Sequence, residues 1–528
     1  MKRNVTFECQ TAQPLCLNVS SNTINKLKSN KMKRYFILFA ITMLMPFFIQ
    51  AQDLVDALRY SQIQTQGTAR SGSMGNAFGA LGGDFTSVSI NPAGIGLYRS
   101  GEFTLTPNLN YSKVESSYLG TNAEDTDYKF SLNNISYVTS VPTKLTSEAG
   151  IVSINFGIGY NRLKDFNSNA IMAGSNINGS YMDYFADNAN AGIWNDYYEE
   201  LAWNTDLLLY DENNNEYWHD MQDAGYGQSQ RKIVSQSGSI DEYSFAMGIN
   251  FNHKLYLGSS VGITNIYYKE STQFNEVDAL DNIPYFNEMT FNSNLTTSGN
   301  GYNFKFGAIY KPIHEIRLGV SIHTPTFYKL YDTFETSMQS SVTYDDGTET
   351  YDEYSPYNTY NYRLETPLRT TFSGAFIIAK KGLISIDYEL VDYGTSKLRR
   401  GGDGHNFAGE NQDINDAYKL AGNIRIGGEY NVSKEVSLRG GYELQQSAYN
   451  TTAFGASQPN SDTDLMVYSA GLGYRSGLFF SDFAYRYTTL ENYDLPYPTP
   501  GSNSYPTPQM AAFNTTRNSF IFTIGYKF

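Results

Sequence analysis

Residues 519–528 read SFIFTIGYKF. Phe520, Phe522, Ile524, Tyr526 and Phe528 fall on one side of an extended chain, and Ser519, Ile521, Thr523, Gly525 and Lys527 on the other. Successive side chains of a strand point to opposite faces, so this alternation predicts a strand with one aromatic-rich face. Such a face suits lipid, and the small or polar one suits a lumen.

The same pattern recurs upstream. Val436, Leu438, Gly440, Tyr442 and Leu444 alternate with Ser437, Arg439, Gly441, Glu443 and Gln445, and Tyr243, Phe245, Met247, Ile249 and Phe251 behave likewise. Strands are predicted at 101–114, 128–140, 150–164, 241–252, 254–270, 299–311, 314–327, 361–379, 382–394, 419–431, 434–449, 464–475, 477–490 and 515–528, a total of 14. Their connections alternate short (such as 253–254, 311–314 and 475–477) with long (165–240, 271–298, 328–360, 395–418, 450–463 and 491–514). Tight turns at one rim and long loops at the other predict an all-β, 14-stranded antiparallel transmembrane β-barrel with its C-terminus on the periplasmic side. The terminal Phe528 resembles the signature that the barrel-insertion machinery reads, which makes that machinery an expected partner.

Composition fits this class. Mean hydropathy is −0.42, aromatics make up 15% of the 528 residues, and Tyr (44) and Phe (32) far outnumber Trp (3). A barrel strand needs apolar residues only at alternate positions, and amphipathic rings suit the two membrane–water interfaces. The net charge of −15, with no basic stripe, argues against nucleic acid as a partner.

Residues 32–51 carry the features of a cleaved signal peptide: Lys33 and Arg34, an apolar run from Tyr35 to Ile49, and the small Ala51. Residues 1–31 are expected to be a non-native upstream extension. Both cysteines, Cys9 and Cys16, lie there, so the exported chain has no thiol nucleophile, disulfide or cysteine metal site.

Residues 52–100 do not alternate. After a short helical stretch, Asp53–Tyr60, comes ARSGSMGNAFGALGGDFTSVSINPAGIGLY, residues 69–98. Its glycines allow close approach to a wall, and Pro92 restricts both itself and Asn91. This string resembles the N-terminal hatch of the FadL/TodX family of outer-membrane transporters for long-chain fatty acids and aromatic hydrocarbons. The likeness is carried by Arg70, Met74-Gly75, Ala77-Phe78, Asp84 and Asn91-Pro92-Ala93-Gly94. Arg317 to Ser321 and the hairpin from Arg425 to Tyr442 are similar to other parts of that family.

The resemblance implies a hatch at 52–100, a barrel at 101–528, passive uptake of a hydrophobic small molecule and lateral exit into the lipid. It also implies gating residues Arg70, Gly75, Phe78, Asp84, Asn91, Pro92, Ala93 and Gly94. Outer-membrane lipid and lipopolysaccharide are expected surroundings, and a monomer is the expected state. No cofactor and no metal site is expected.

The longest loop, 165–240, holds all three Trp residues and a stretch, Ile193–Tyr210, patterned as an amphipathic helix. Trp194, Tyr197, Tyr198, Leu201 and Trp203 are candidates for ligand capture or for packing on neighbouring loops. Arg317, Arg369, Arg425, Arg439 and Glu443 occupy inward positions among charges of both signs, which favours mutual ion pairs over a ligand-gripping arginine. Two rival readings use other residues: an adhesin acting through the long loops, and a lipid enzyme built on Ser321 and His323. The histidines are scattered and the acidic run at 345–353 has no ligand spacing, so no catalytic residue is expected.

Overall fold

In the computed structural model, the described residues are 54–143, 150–379, 381–453 and 456–528. The expected signal peptide and upstream extension lie outside them.

Fourteen strands close into one antiparallel barrel. In chain order they are β1 Glu102–Tyr118, β2 Thr121–Pro142, β3 Ile151–Asp165, β4 Ser229–Phe251, β5 Leu255–Val277 and β6 Phe286–Tyr310. β7 comprises Ile316–His323 and Phe327–Tyr344, and β8 comprises Gly347–Tyr354, Asn358–Glu365 and Arg369–Ile378. β9 is Gly382–Asp392 with Lys397–Arg399, followed by β10 Leu420–Asn431, β11 Val436–Gln445, β12 Leu465–Ser476, β13 Phe479–Asp494 and β14 Ala511–Lys527. Closure comes from β1 on β14, with Glu102 opposite Lys527 and Ser117 opposite Ala512.

The lipid face follows the alternation. Phe520, Phe522 and Ile524 are exposed while Ser519, Ile521 and Thr523 are buried. Where the expectation differs is above the lipid. The segment 328–360 is no loop: β7 and β8 continue as a hairpin with Tyr344 opposite Gly347. Residues 271–298 shrink to a connection at 278–285, β1 and β2 meet across residues 119–120, and the longest loop yields Ser168–Gly174 and the first part of β4 to the sheet. Beyond the bilayer the outward face of these strands meets water in place of lipid, so it needs no apolar residues, yet the backbone bonds still pair.

Two breaks interrupt the wall side by side, at 324–326 in β7 and 366–368 in β8. Each holds a proline, Pro325 or Pro367, which cannot donate to the ladder. Thr326 N–H donates to Thr366 Oγ1 at 2.8 Å, and Thr366 N–H returns to the Thr326 carbonyl at 3.1 Å, closing the gap.

Residues 54–98 lie inside the barrel. Helix α1 (Leu54–Ser61) is followed by the four-residue α2 (Ala69–Gly72) and two 3-10 helices, Phe85–Ser89 and Pro92–Leu97. Met74, Phe78, Ala80, Phe85, Val88 and Ile95 have no exposed surface.

Candidate functional site

The lumen is built where residues 69–98 meet the wall. Inward positions there are glycine strand after strand: Gly157 and Gly159 on β3, Gly248 on β4, Gly258 on β5, Gly307 on β6, Gly319 on β7, Gly427 on β10, Gly441 on β11 and Gly471 on β12. They stand nearly in one row, Gly248 opposite Gly258 and Gly258 opposite Gly307, then Gly427 opposite Gly441. A Cβ on them would collide with the inner segment: with Gly96 at Gly248, Pro92 at Gly258, Asn91 at Gly307, Gly79 at Gly319, and Met74 or Gly75 at Gly427 and Gly441. Backbone therefore lies on backbone, an approach no larger residue permits.

Polar bonds fix the register. Asn91 Nδ2 donates to the Gly79 carbonyl at 2.7 Å and to the wall carbonyls of Ala308 and Val320 at 3.3 and 3.4 Å, while its Oδ1 accepts from Ala93 N–H at 3.1 Å. Pro92 opens the second 3-10 helix, where the missing donor is harmless. Asp84 accepts from Thr86 N–H at 2.9 Å and from the Thr68 hydroxyl at 2.6 Å. Gly75, at φ +59°, donates its N–H to Ser469 Oγ at 3.2 Å, and Gly83 N–H reaches the Gly94 carbonyl at 3.1 Å.

The inward charges form two chains. In one, Arg70 Nε meets Glu429 at 3.0 Å, Glu429 meets Arg439 Nε at 2.7 Å, and Arg439 meets Asp482 at 2.6 Å. The Arg70 guanidinium also sits 5.4 Å from the Phe78 ring centre. In the other, Glu389 joins Arg369 (3.2 Å) and Arg425 (3.3 Å), and Glu443 joins Arg425 (3.6 Å) and Arg486 (3.0 Å). Arg317 donates to the Leu81 carbonyl at 2.8 Å. The expected arginines and Glu443 thus face inward, and Arg70 joins their network. Glu242 and Lys305, a buried pair, escaped the sequence reading although they obey the same alternation beside Tyr243 and Phe304.

Toward the extracellular end, α1 packs its Ala57, Leu58 and Tyr60 among Phe166, Tyr268, Tyr328, Tyr362 and Tyr393. Its last carbonyls face cations: Lys164 Nζ reaches the Arg59 oxygen at 2.8 Å, and Arg369 donates to the Ser61 oxygen. Positive charge at a helix C-terminus opposes the helix dipole favourably. Between this compartment and the glycine row remains a cavity of about 30 Å³, bounded by Ile63, Ser89, His323, Arg369 and the broken wall at Thr326 and Thr366. That is room for water, not for an apolar ligand.

Ser321 and His323 are both engaged elsewhere. The serine hydroxyl donates to the Ile90 carbonyl at 2.7 Å, and His323 Nε2 lies 3.0 Å from the same oxygen. No group of three or more metal-ligating side chains occurs among the described residues.

The long loop departs from expectation. Instead of one helix over Ile193–Tyr210 it forms α3 (Tyr181–Asn190), α4 (Glu199–Asn204) and α5 (Asp220–Ala224), because the Asn195 and Thr205 side chains bind their own local backbone and interrupt the turn. Tyr197 and Leu201 are buried, Tyr198 lies 5.9 Å from Phe291 of β6, and Trp194 packs near Trp203 (6.3 Å) and hydrogen-bonds Glu200. These residues form an extracellular cap rooted on β5–β7 through Phe274, Met289 and Val342. One polar root is Glu276, nine residues beyond the last lipid-facing Tyr267 of β5 and so outside the bilayer. It accepts from Ser180 (2.6 Å), Gln228 (3.2 Å) and Gln230 (2.7 Å). Burial raises its pKa from 4.5 to about 7, against the lowering effect of those donors.

Residues 223–528 match the model of the family described as outer membrane protein transport protein (OMPP1/FadL/TodX). A Pseudomonas aeruginosa FadL homologue superposes with a TM-score of 0.54 at 13% identity, over 88% of this chain and 99% of that one, a likeness of fold. The P. putida toluene transporter TodX aligns at 13% identity over 87% and 98% of the two chains, with a TM-score of 0.48. No curated protein matches the chain.

Two outcomes follow from this geometry. Glu429→Ala strands Arg70 beside Arg439; losing one partner of a buried pair costs about 3–5 kcal/mol, so amide exchange in residues 69–83 is expected to rise about a hundredfold or more while the strands stay protected. Glu276 is held protonated in the folded cap at a pH where the unfolded chain has ionised it. Cap stability is therefore full below pH 4.5, falls as pH rises toward about 7, and stays reduced above. Amide exchange over residues 180–228 should be faster at pH 8 than at pH 5 after correction for intrinsic rates, and Glu276→Gln should abolish the difference.

Proposed function

This chain belongs to the outer membrane protein transport protein family (OMPP1/FadL/TodX), an outer-membrane channel for hydrophobic compounds, and we propose that the hatch at 52–100, α1 included, is movable. The observation that carries this reading is the seating of the inner segment backbone-on-backbone against the inward glycines of the wall. The cavity left beside it at Ile90 and His323, about 30 Å³, admits no acyl chain or aromatic hydrocarbon, so passage there requires the inner segment to shift. That segment is held by discrete polar bonds, the Arg70–Glu429 pair and close backbone contact, all of which can be broken and remade, whereas the strands are tied by continuous ladders.

The ligand class is a long-chain fatty acid or an aromatic hydrocarbon. It enters the aromatic compartment that α1 now fills, moves to the space beside Ile90 and Asn91, and leaves sideways into the lipid. The prolines at 325 and 367 support an exit between β7 and β8. There the backbone ladder is interrupted, the Thr326–Thr366 bonds alone close it, and the lumenal cavity reaches it. Each methylene kept from water is worth about 0.8 kcal/mol, which favours direct delivery into lipid. No energy input is needed while the ligand is consumed inside. Residues 32–51 are assigned the export signal.

The adhesin reading is less well supported, since Tyr197 and Leu201 are buried in the cap and not presented outward. A hydrolytic role fares no better. An imidazole that accepts a serine proton would have to point its nitrogen at the hydroxyl, and His323 and Ser321 both address Ile90.

Gram-negative cells lacking their own fatty-acid transporter should gain uptake of labelled oleate when this protein is inserted. Deleting Asn91–Ala93 should change that rate several-fold in a barrel that still migrates as folded. Absent uptake despite insertion would contradict fatty acid as the ligand; an unchanged rate in the deletion would contradict the hatch.

A further inference from the structure

The outer face of β7, β8 and β9 carries a charge arrangement that uptake does not use. Lys329, Arg363 and Arg399 are exposed, and the residues flanking them, Tyr328, Leu330, Tyr362, Leu364 and Leu398, are buried inward. All three therefore point outward. Lys329 pairs in register with Arg363, and Arg363 with Arg399. Lys397, also exposed, stands two residues before Arg399 and opposite Glu365.

Like charges directly opposite on neighbouring strands are destabilising, and strands are about 4.8 Å apart, so these head groups share a patch roughly 10 Å wide. The facing carboxylate is Glu365, which binds Arg399 at 2.7 Å. Four cations against one carboxylate is an arrangement a folded chain keeps at a cost. On the opposite flank an outward cation is balanced: Lys113 of β1 lies 2.7 Å from Glu115 and 2.9 Å from Glu124.

The height of the patch is informative. Below it the outward residues are apolar: Leu318, Val320 and Ile322 on β7, Leu368, Phe372 and Phe376 on β8, and Ile384, Ile386 and Tyr388 on β9. An interfacial aromatic pair, Tyr302 and Phe327 at 5.5 Å, marks the edge of that band. β7 rises from the short turn at 311–315, so the cations stand at the outer-leaflet surface and not at the periplasmic one. A lipid whose chains lie on the apolar band would place its head group among them.

We infer that Lys329, Arg363, Lys397 and Arg399 form a binding site for the phosphorylated sugar head group of a lipopolysaccharide-type glycolipid, with its acyl chains on the lipid face of β7–β9. Zwitterionic phospholipid fits poorly, because its single phosphate carries its own ammonium. A head group with several phosphates matches four cations, and guanidinium forks bind phosphate oxygens in pairs.

The test uses the full barrel purified in mild detergent from lipopolysaccharide-producing cells, with bound glycolipid quantified by mass spectrometry. The Lys329→Gln/Arg363→Gln/Arg399→Gln barrel should retain at least tenfold less than the parent. Lys113→Gln on the opposite flank should retain as much as the parent, and heat-modifiable migration reports that each barrel is folded. Stripped barrels should rebind intact glycolipid and not its phosphatase-treated form. Equal retention by the triple variant, or equal rebinding of the dephosphorylated glycolipid, would overturn the site.

Discussion

Backbone pressed against backbone inside the barrel is the constraint on which the rest depends. A sheet of 14 strands encloses a lumen too wide for wall side chains alone to fill. Here it is filled because inward glycines on eight of the strands let residues 73–96 lie flat on the wall. The inner segment then occupies the middle of the lumen, and its own side chains, Met74, Phe78, Phe85 and Ile95, find apolar partners such as Ala375, Val138 and Ala246 on the wall.

That seating divides the lumen by chemistry. Toward the extracellular end an aromatic compartment receives α1, while around the segment itself lie the chains of arginine and carboxylate. Buried ion pairs add little net stability, but removing one member leaves an uncompensated charge, so such chains act as registration devices. Arg70 belongs to the segment and Glu429 to the wall, so the position of the segment is coupled to the charge balance of β10–β13. The broken ladder at Pro325 and Pro367 sits beside Ser89, Ile90 and the Arg369–Glu389 pair, which places a weak point of the wall next to the proposed hatch.

The lipid-facing half of the fold was legible because water and hydrocarbon impose period two: Phe520, Phe522 and Ile524 against Ser519 and Thr523 needs no tertiary information. The inward charges followed from the same rule, and Glu242 and Lys305 would have followed had it been applied at every strand. Strand ends were not legible where β7 and β8 rise above the bilayer, since an outward face that meets water carries no apolar signature. The helix expected at Ile193–Tyr210 failed for a local reason: Asn195 and Thr205 offer the backbone competing bonds that hydrophobic spacing does not register. Nor does sequence reveal that Ser321 and His323 converge on the Ile90 carbonyl, because that contact joins segments 231 residues apart.

The proposed movement of the inner segment is open to a direct test, because the chain's two cysteines, Cys9 and Cys16, both precede the proposed export signal. Asn161 of β3 donates to Ser89 Oγ of the segment at 3.0 Å. A Ser89→Cys/Asn161→Cys barrel, bridged by oxidation or by a short bis-thiol reagent, would tie the segment to the wall. Oleate uptake by cells carrying it should be lost on bridging and restored by reductant or in either single-cysteine barrel. Uptake at the same rate through the bridged barrel would contradict the account.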